Sequence, residues 1–155
     1  MSTIKVDTLQ TRSGNTAAVT GSGFVATDQI RGNTAANSVT VVAEGGTNTT
    51  NLQQGLCKFF SNIDGQSTIA TRDSFNQSGI TDNGTGDYDL AFTTNMGNDD
   101  YSTMNNSGSE SGHTALMFSE AEQHTTGCRA YVLELYSDAV TDSNVVMTSV
   151  HGDLA

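Results

Sequence analysis

From residue 56 onward the chain is punctuated at a spacing that leaves room for strands and little else. Short runs of β-branched, aromatic and aliphatic residues recur about every 8–12 residues with turn residues between them, which is the texture of an all-β sandwich or barrel. The runs are residues 56–60, 68–72, 87–93, 115–118, 129–136 and 144–150. Between them stand Asp64-Gly65, Asp82-Asn83-Gly84, Met96-Gly97-Asn98 and the polar stretch 107–112. Asp-Gly and Asn-Gly steps supply the positive φ values that tight hairpins require. Tyr88, Leu90 and Phe92 alternate with Asp89 and Ala91, so that strand is expected to bury one face. Ala130, Val132 and Glu134 alternate against Tyr131, Leu133 and Leu135, which predicts a strand buried on both faces over part of its length. No segment of useful length carries a helical period. Residues 115–124 come closest, but they lack a full apolar stripe and read as a strand running into a loop. Composition agrees, since charged residues make up only 15% and the deficit is taken by Ser, Thr, Asn, Asp and 16 Gly. These residues favour turns and strand edges over helix interiors.

Ahead of residue 56 the texture differs. Residues 2–11 alternate weakly, with Ile4, Val6 and, after a slip, Leu9 as apolar members, and then enter the turn signal Arg12-Ser13-Gly14-Asn15. A half-apolar segment this short does not fold alone; it docks on something, as an edge strand of its own domain or on a partner. Residues 16–37, rich in Ala, Gly, Thr and Asn, read as an extended linker or stalk. Residues 38–43 give a β-branched strand signal. Residues 51–55 can make one helical turn, with Asn51 in front and Gly55 at the back.

None of the chemistry-bearing residues argues for catalysis or for a cofactor. A net charge of −11, with six scattered basic residues, opposes nucleic-acid binding and docking on anionic lipid. Cys57 and Cys128 lie in apolar runs and read as buried thiols, without a metal or disulfide spacing. Gly21-Ser22-Gly23-Phe24-Val25-Ala26 matches a dinucleotide pattern, with Glu44 downstream. The segment after Ala26, however, is broken by Gly32 and Asn33, and cannot open the helix on which a pyrophosphate rests. The oxygen-rich stretch from Asp82 to Asp89 reads as a hairpin connection in preference to a calcium loop. His113, His124 and His151 read as surface or loop residues, and Glu120 and Glu122 carry no mark of an acid/base pair. Tyr101, beside a turn, reads as a packed tyrosine in preference to a sugar-stacking one. Only 35% of residues are hydrophobic, so a single copy has a thin core and gains stability by burying strand faces against copies of itself.

Two stretches resemble a known family. The opening Ser2-Thr-Ile-Lys-Val-Asp-Thr-Leu-Gln-Thr-Arg-Ser-Gly14 resembles the N-terminal leader of fibre-like proteins from phages of marine bacteria and cyanobacteria. The stretch Thr47-Asn-Thr-Thr-Asn-Leu-Gln-Gln-Gly-Leu-Cys-Lys58, continuing through Phe59-Phe60, Ser74-Phe-Asn76 and Ile80-Thr-Asp-Asn-Gly-Thr-Gly-Asp-Tyr88, resembles a domain of phage tail-fibre and related virion proteins. The closing 142–153 segment is similar to that domain's last strand. A Trp expected near Phe59 or Phe60 is missing, and residues 12–37 and 96–127 match nothing in the family. The resemblance implies a homotrimeric structural protein of the virion, assembled in the host cytoplasm, with no enzymatic activity. Its expected partners are other virion proteins of the tail or capsid, with a host-surface glycan as a further candidate. Residues 1–25 are expected to form a virion-docking arm using Ile4, Val6 and Leu9, residues 26–55 a stalk or trimerisation segment, and residues 56–155 an antiparallel, jelly-roll-like β-sandwich head. A capsid decoration or head-fibre protein and a glycan-processing depolymerase are the alternatives.

Overall fold

The computed structural model describes Ile30, residues 39–108, the backbone of 115–118, and residues 123–134, 137 and 139–155. Of the two units into which the chain divides, Met1–Arg31 and Gly32–Ala155, these residues belong, Ile30 apart, to the second.

In chain order the elements are β1 (Thr40–Val42), β2 (Thr49–Asn51), the one-turn helix α1 (Leu52–Gly55), β3 (Cys57–Asp64), β4 (Ala70–Phe75), β5 (Gln77–Gly84) and β6 (Asp87–Phe92), followed by β7 (Ser102–Gly108), β8 (Ala115–Phe118), β9 (Gln123–His124), β10 (Gly127–Glu134) and β11 (Val145–His151). All strand pairs are antiparallel. β1 and β2 form a separate two-stranded ribbon. The others form two sheets, one in the order β5-β6-β10-β8 with β9 also on β10, the second in the order β4-β3-β11-β7. The two sheets share one core, so the chain is an all-β sandwich, as its punctuation predicts.

Alternation sets the core. Tyr88, Leu90 and Phe92 on β6 and Cys128, Ala130 and Val132 on β10 turn inward from the first sheet; Phe59 and Ile63 on β3 and Val146 and Val150 on β11 face them from the second. Tyr131 and Leu133 are half-buried on the other side of β10, so that strand is covered on both faces only in part. Phe59 and Phe92 meet across the sheets with ring centroids 4.8 Å apart, and Tyr101 packs edge-on to Phe92 at 5.9 Å. Such tilted arrangements suit the ring quadrupoles. The second sheet's inner face is not uniformly apolar. Between the row Phe59–Val150 and the row Ile63–Val146 runs Ser61–Thr148–Asn105. The side-chain oxygens of these three are buried without a hydrogen-bond partner.

Three local devices hold the connections. The chain passes from β4 in one sheet to β5 in the other through Asn76 alone, whose φ of 62° is tolerated by asparagine better than by most residues. The Asn76 side chain donates to the carbonyls of Lys58 and Thr94, each at 3.0 Å, and accepts from the Thr94 amide at 2.7 Å. At the opposite corner the Tyr88 hydroxyl lies 3.0 Å from both the Gly65 carbonyl and Asp142 Oδ1, and Asp142 Oδ1 also accepts from the Gly86 amide at 2.7 Å. Burial, and then the neighbouring Asp142 carboxylate, raise the Tyr88 phenol above its ordinary range. The third device is α1. Asn51 Oδ1 accepts from the Gln54 amide at 2.9 Å as an N-cap, while the Lys58 ammonium donates to the carbonyls of Gln53 and Leu56 at the helix's far end. Burial lowers the Lys58 pKa.

Gly65 exists because of the Tyr88 corner: a Cβ there would collide with the Tyr88 hydroxyl and stand 3.0 Å from the Ser143 carbonyl. Gly65→Ala is expected to lower stability by about 3 kcal/mol, since both the overpacking and the displaced hydroxyl act on the same point. In a thermal melt this corresponds to a drop of roughly 6–12 °C. A change below about 2 °C would show that the corner carries little of the stability.

Candidate functional site

The outer faces of the two sheets are built from different chemistry. On the first sheet, Arg129 of β10 lies between Asp87 and Asp89 of β6. Its guanidinium makes a two-point contact with Asp87, Nε to Oδ1 at 2.7 Å and NH2 to Oδ2 at 2.6 Å, and approaches Asp89 at 3.8 Å. The same guanidinium sits 4.7 Å above the Tyr131 ring. The hydrogen bond from Arg129, opposed by partial burial and assisted by Tyr131, holds the Asp87 carboxyl below its usual range. This face is charged, internally paired and solvated.

The second sheet's outer face has another character. Pairing places Phe75, Phe60, Ser149 and Met104 in one row across β4, β3, β11 and β7, and Asp73, Asn62, Met147 and Asn106 in the next. Phe60 and Phe75 stack at 6.2 Å with planes 25° apart. Phe75 is 52% exposed and Met104 59%, while Phe60 and Met147 are each 37% exposed. Large apolar side chains at these exposures, adjacent on four strands, form a continuous patch of the kind that marks an interaction surface. A shallow hollow of about 420 Å³ lies in it, with Phe60, Met104 and Met147 around a floor that includes Asn62. Asn62 Oδ1 is screened from solvent and has no donor. Of the eight residues in the two rows, Asp73 alone is charged, and its carboxylate accepts from the Ser74 amide at 2.8 Å.

Other sequence candidates fall into structural roles. Tyr101 is buried, and its hydroxyl donates to the Gly127 carbonyl at 2.8 Å, so it is a packed tyrosine. The stretch from Asp82 to Asp89 is the β5–β6 hairpin, with Asp82 Oδ1 accepting from the Gly84 amide at 2.9 Å and Gly84 and Gly86 at positive φ. Cys57 and Cys128 are free thiols on opposite sheets; Cys128 is buried, and desolvation pushes its thiol up to about 12. His124 lies on β9 and His151 on β11, in different sheets. Among the described residues, no three His, Cys, Asp or Glu side chains gather as a metal ion would require, and no helix is long and apolar enough to cross a membrane. Ile4, Val6 and Leu9, the motif from Gly21 to Ala26, His113, Glu120 and Glu122 lie outside the described residues.

Sequence reasoning did not find the outer face, although it carried one usable signal. Phe60 and Met147 each fall out of phase with the buried positions of their own strand, so each had to be an exposed apolar residue.

The Arg129–Asp87 pair leads to a pH effect with a definite sign. The folded pKa of Asp87 is depressed, so its contribution is full above the unfolded value of 3.8 and is lost as pH falls through the lower folded value. Asp87→Asn is expected to cost about 1–2 kcal/mol near neutral pH by urea denaturation, with the gap from wild type closing as pH drops below 3.8. A gap independent of pH would assign the effect to packing. No family model, curated protein or solved structure matches the chain.

Proposed function

We propose that this chain is a non-enzymatic structural protein of a bacteriophage particle, a homotrimeric tail-fibre component. It docks on the virion through residues 1–25, with Ile4, Val6 and Leu9 as the apolar contacts. Residues 26–55 form the stalk, and the jelly-roll-like sandwich is presented for host attachment or for other fibre subunits. The observation that carries this reading is the exposed apolar patch of Phe60, Phe75, Met104 and Met147 on the outer face of the β4-β3-β11-β7 sheet, a surface suited to binding. The β1–β2 ribbon supports it as well. Val41 and Val42 are successive residues of β1, so their side chains point to opposite faces, and both are more than half exposed. A two-stranded ribbon of three residues per strand is marginal in water and gains stability when its copies pack together. The sequence resemblance in the leader and in residues 47–88 supplies the virion assignment.

Light scattering on the purified protein is expected to give three times the 16.2 kDa of one chain, about 49 kDa. Deletion of residues 2–14 is expected to leave that mass unchanged and to abolish incorporation into particles. Normal incorporation of the truncated protein would remove the docking arm from the reading, and labelling that decorates capsids instead of tails would remove the tail placement.

A further inference from the structure

We propose that Asn83 is a self-modification site: the main-chain nitrogen of Gly84 displaces ammonia from its side chain, water leaves a carboxylate in its place, and the Asp82 carboxylate sets the rate. This goes beyond the virion reading and does not depend on it.

The chemistry follows from one dipeptide. Asn83-Gly84 is the chain's single Asn-Gly step, and asparagine is a thermolabile residue. The Gly84 nitrogen gives up its proton to base and bonds to Asn83 Cγ. The Cγ–Nδ2 bond breaks, and the amide nitrogen leaves as ammonia with a proton from water. Water, the one co-reactant, then opens the cyclic imide. Cleavage at Cγ leaves aspartate, and cleavage at the main-chain carbonyl leaves isoaspartate. No electrons are transferred.

The fold makes this step available and closes the one that resembles it. Asn83 and Gly84 are exposed at the end of β5, an edge strand. The register shifts between Asp82, opposite Tyr88, and Gly84, opposite Asp87, so Asn83 faces no residue of β6. A Cβ on Gly84 would meet nothing within 4 Å, and no side chain of its own screens the attacking nitrogen from base. Asp64-Gly65 is the single Asp-Gly step and could form the same imide. There the Gly65 amide donates to the Ser143 carbonyl at 2.9 Å, and the Asp64 carboxylate is engaged by Arg72 and by the Gln66 amide.

Asp82 is the governor. Its Oδ1 accepts from the Gly84 amide at 2.9 Å. Taking that proton away would leave a negative nitrogen against a carboxylate, and a like charge disfavours the charged form. The product adds one negative charge to a chain already at −11, beside Asp82 and on the residue that follows it. Isoaspartate also lengthens the main chain by one methylene, which displaces the Gly84–Asp87 rung beside the Asp87–Arg129 pair.

The test uses the full chain, incubated at mildly alkaline pH both folded and in urea. Peptide mapping by mass spectrometry follows conversion of Asn83 and isoaspartate at Asp64. Folded wild type is expected to convert Asn83 about tenfold more slowly than the chain in urea, and Asp82→Ala to recover about that factor while folded. Isoaspartate at Asp64 is expected only in urea. Amide hydrogen exchange removes the same Gly84 proton, and it separates a lost cap from a loosened hairpin. In Asp82→Ala the Gly84 amide is expected to exchange about tenfold faster, whereas the Gly86 amide, held by Asp142 Oδ1 at 2.7 Å, keeps its rate. An Asn83 that stays intact in both folded proteins while the chain in urea converts overturns the site. Equal conversion in wild type and Asp82→Ala, or a Gly86 amide that accelerates together with Gly84, overturns the role of Asp82.

Discussion

The sandwich depends on two antiparallel pairings between strands far apart in the chain, β3 with β11 and β6 with β10. Each puts two half-apolar strands side by side so that their inward residues form one surface. Phe59, Ile63, Val146 and Val150 make one wall and Tyr88, Leu90, Phe92, Ala130 and Val132 the facing one. Neither wall exists until the pairing is made, because a lone strand has nothing to bury against. Such non-local contacts carry a large loop-closure cost before they contribute stability, which places this fold among the slower-forming topologies. The connections at Asn76 and at Tyr88 reduce the freedom left once the sheets meet. Each spends a short polar side chain or a hydroxyl on main-chain groups that the corner would otherwise leave without partners.

The two outer faces differ in the apolar surface they expose. Both carry charge held in ion pairs: on the first sheet Arg129 offsets the neighbouring carboxylates and its guanidinium covers Tyr131, and on the second Arg72 pairs with Asp64. Beside that pair the second sheet exposes rings and thioethers. The inner side of the same sheet carries the row Ser61–Thr148–Asn105, whose buried oxygens lack partners and weaken the core where it is crossed.

The sequence by itself determined the fold class, the inward face of β6, the α1 turn with Asn51 at its front, and the packed role of Tyr101. These come from signals contained within a few residues: period-two alternation, turn dipeptides and capping. Tertiary structure decided what those signals do not reach. Two edge strands, β5 and β7, fall outside the apolar runs of the sequence because Gln77–Gly84 and Ser102–Gly108 are polar and lack a clean alternation. They are strands because β6 and β11 offer them open edges, and pairing outweighs weak intrinsic preference. Asn76 became a corner only through contacts with Lys58 and Thr94, each 18 positions away. The candidate surface is the clearest case. Phe75, Phe60, Met104 and Met147 come from four strands, and nothing in the order of the chain places them together. Only the register across β4, β3, β11 and β7 does so, since a shift of one residue in any strand would turn its contribution to the opposite face.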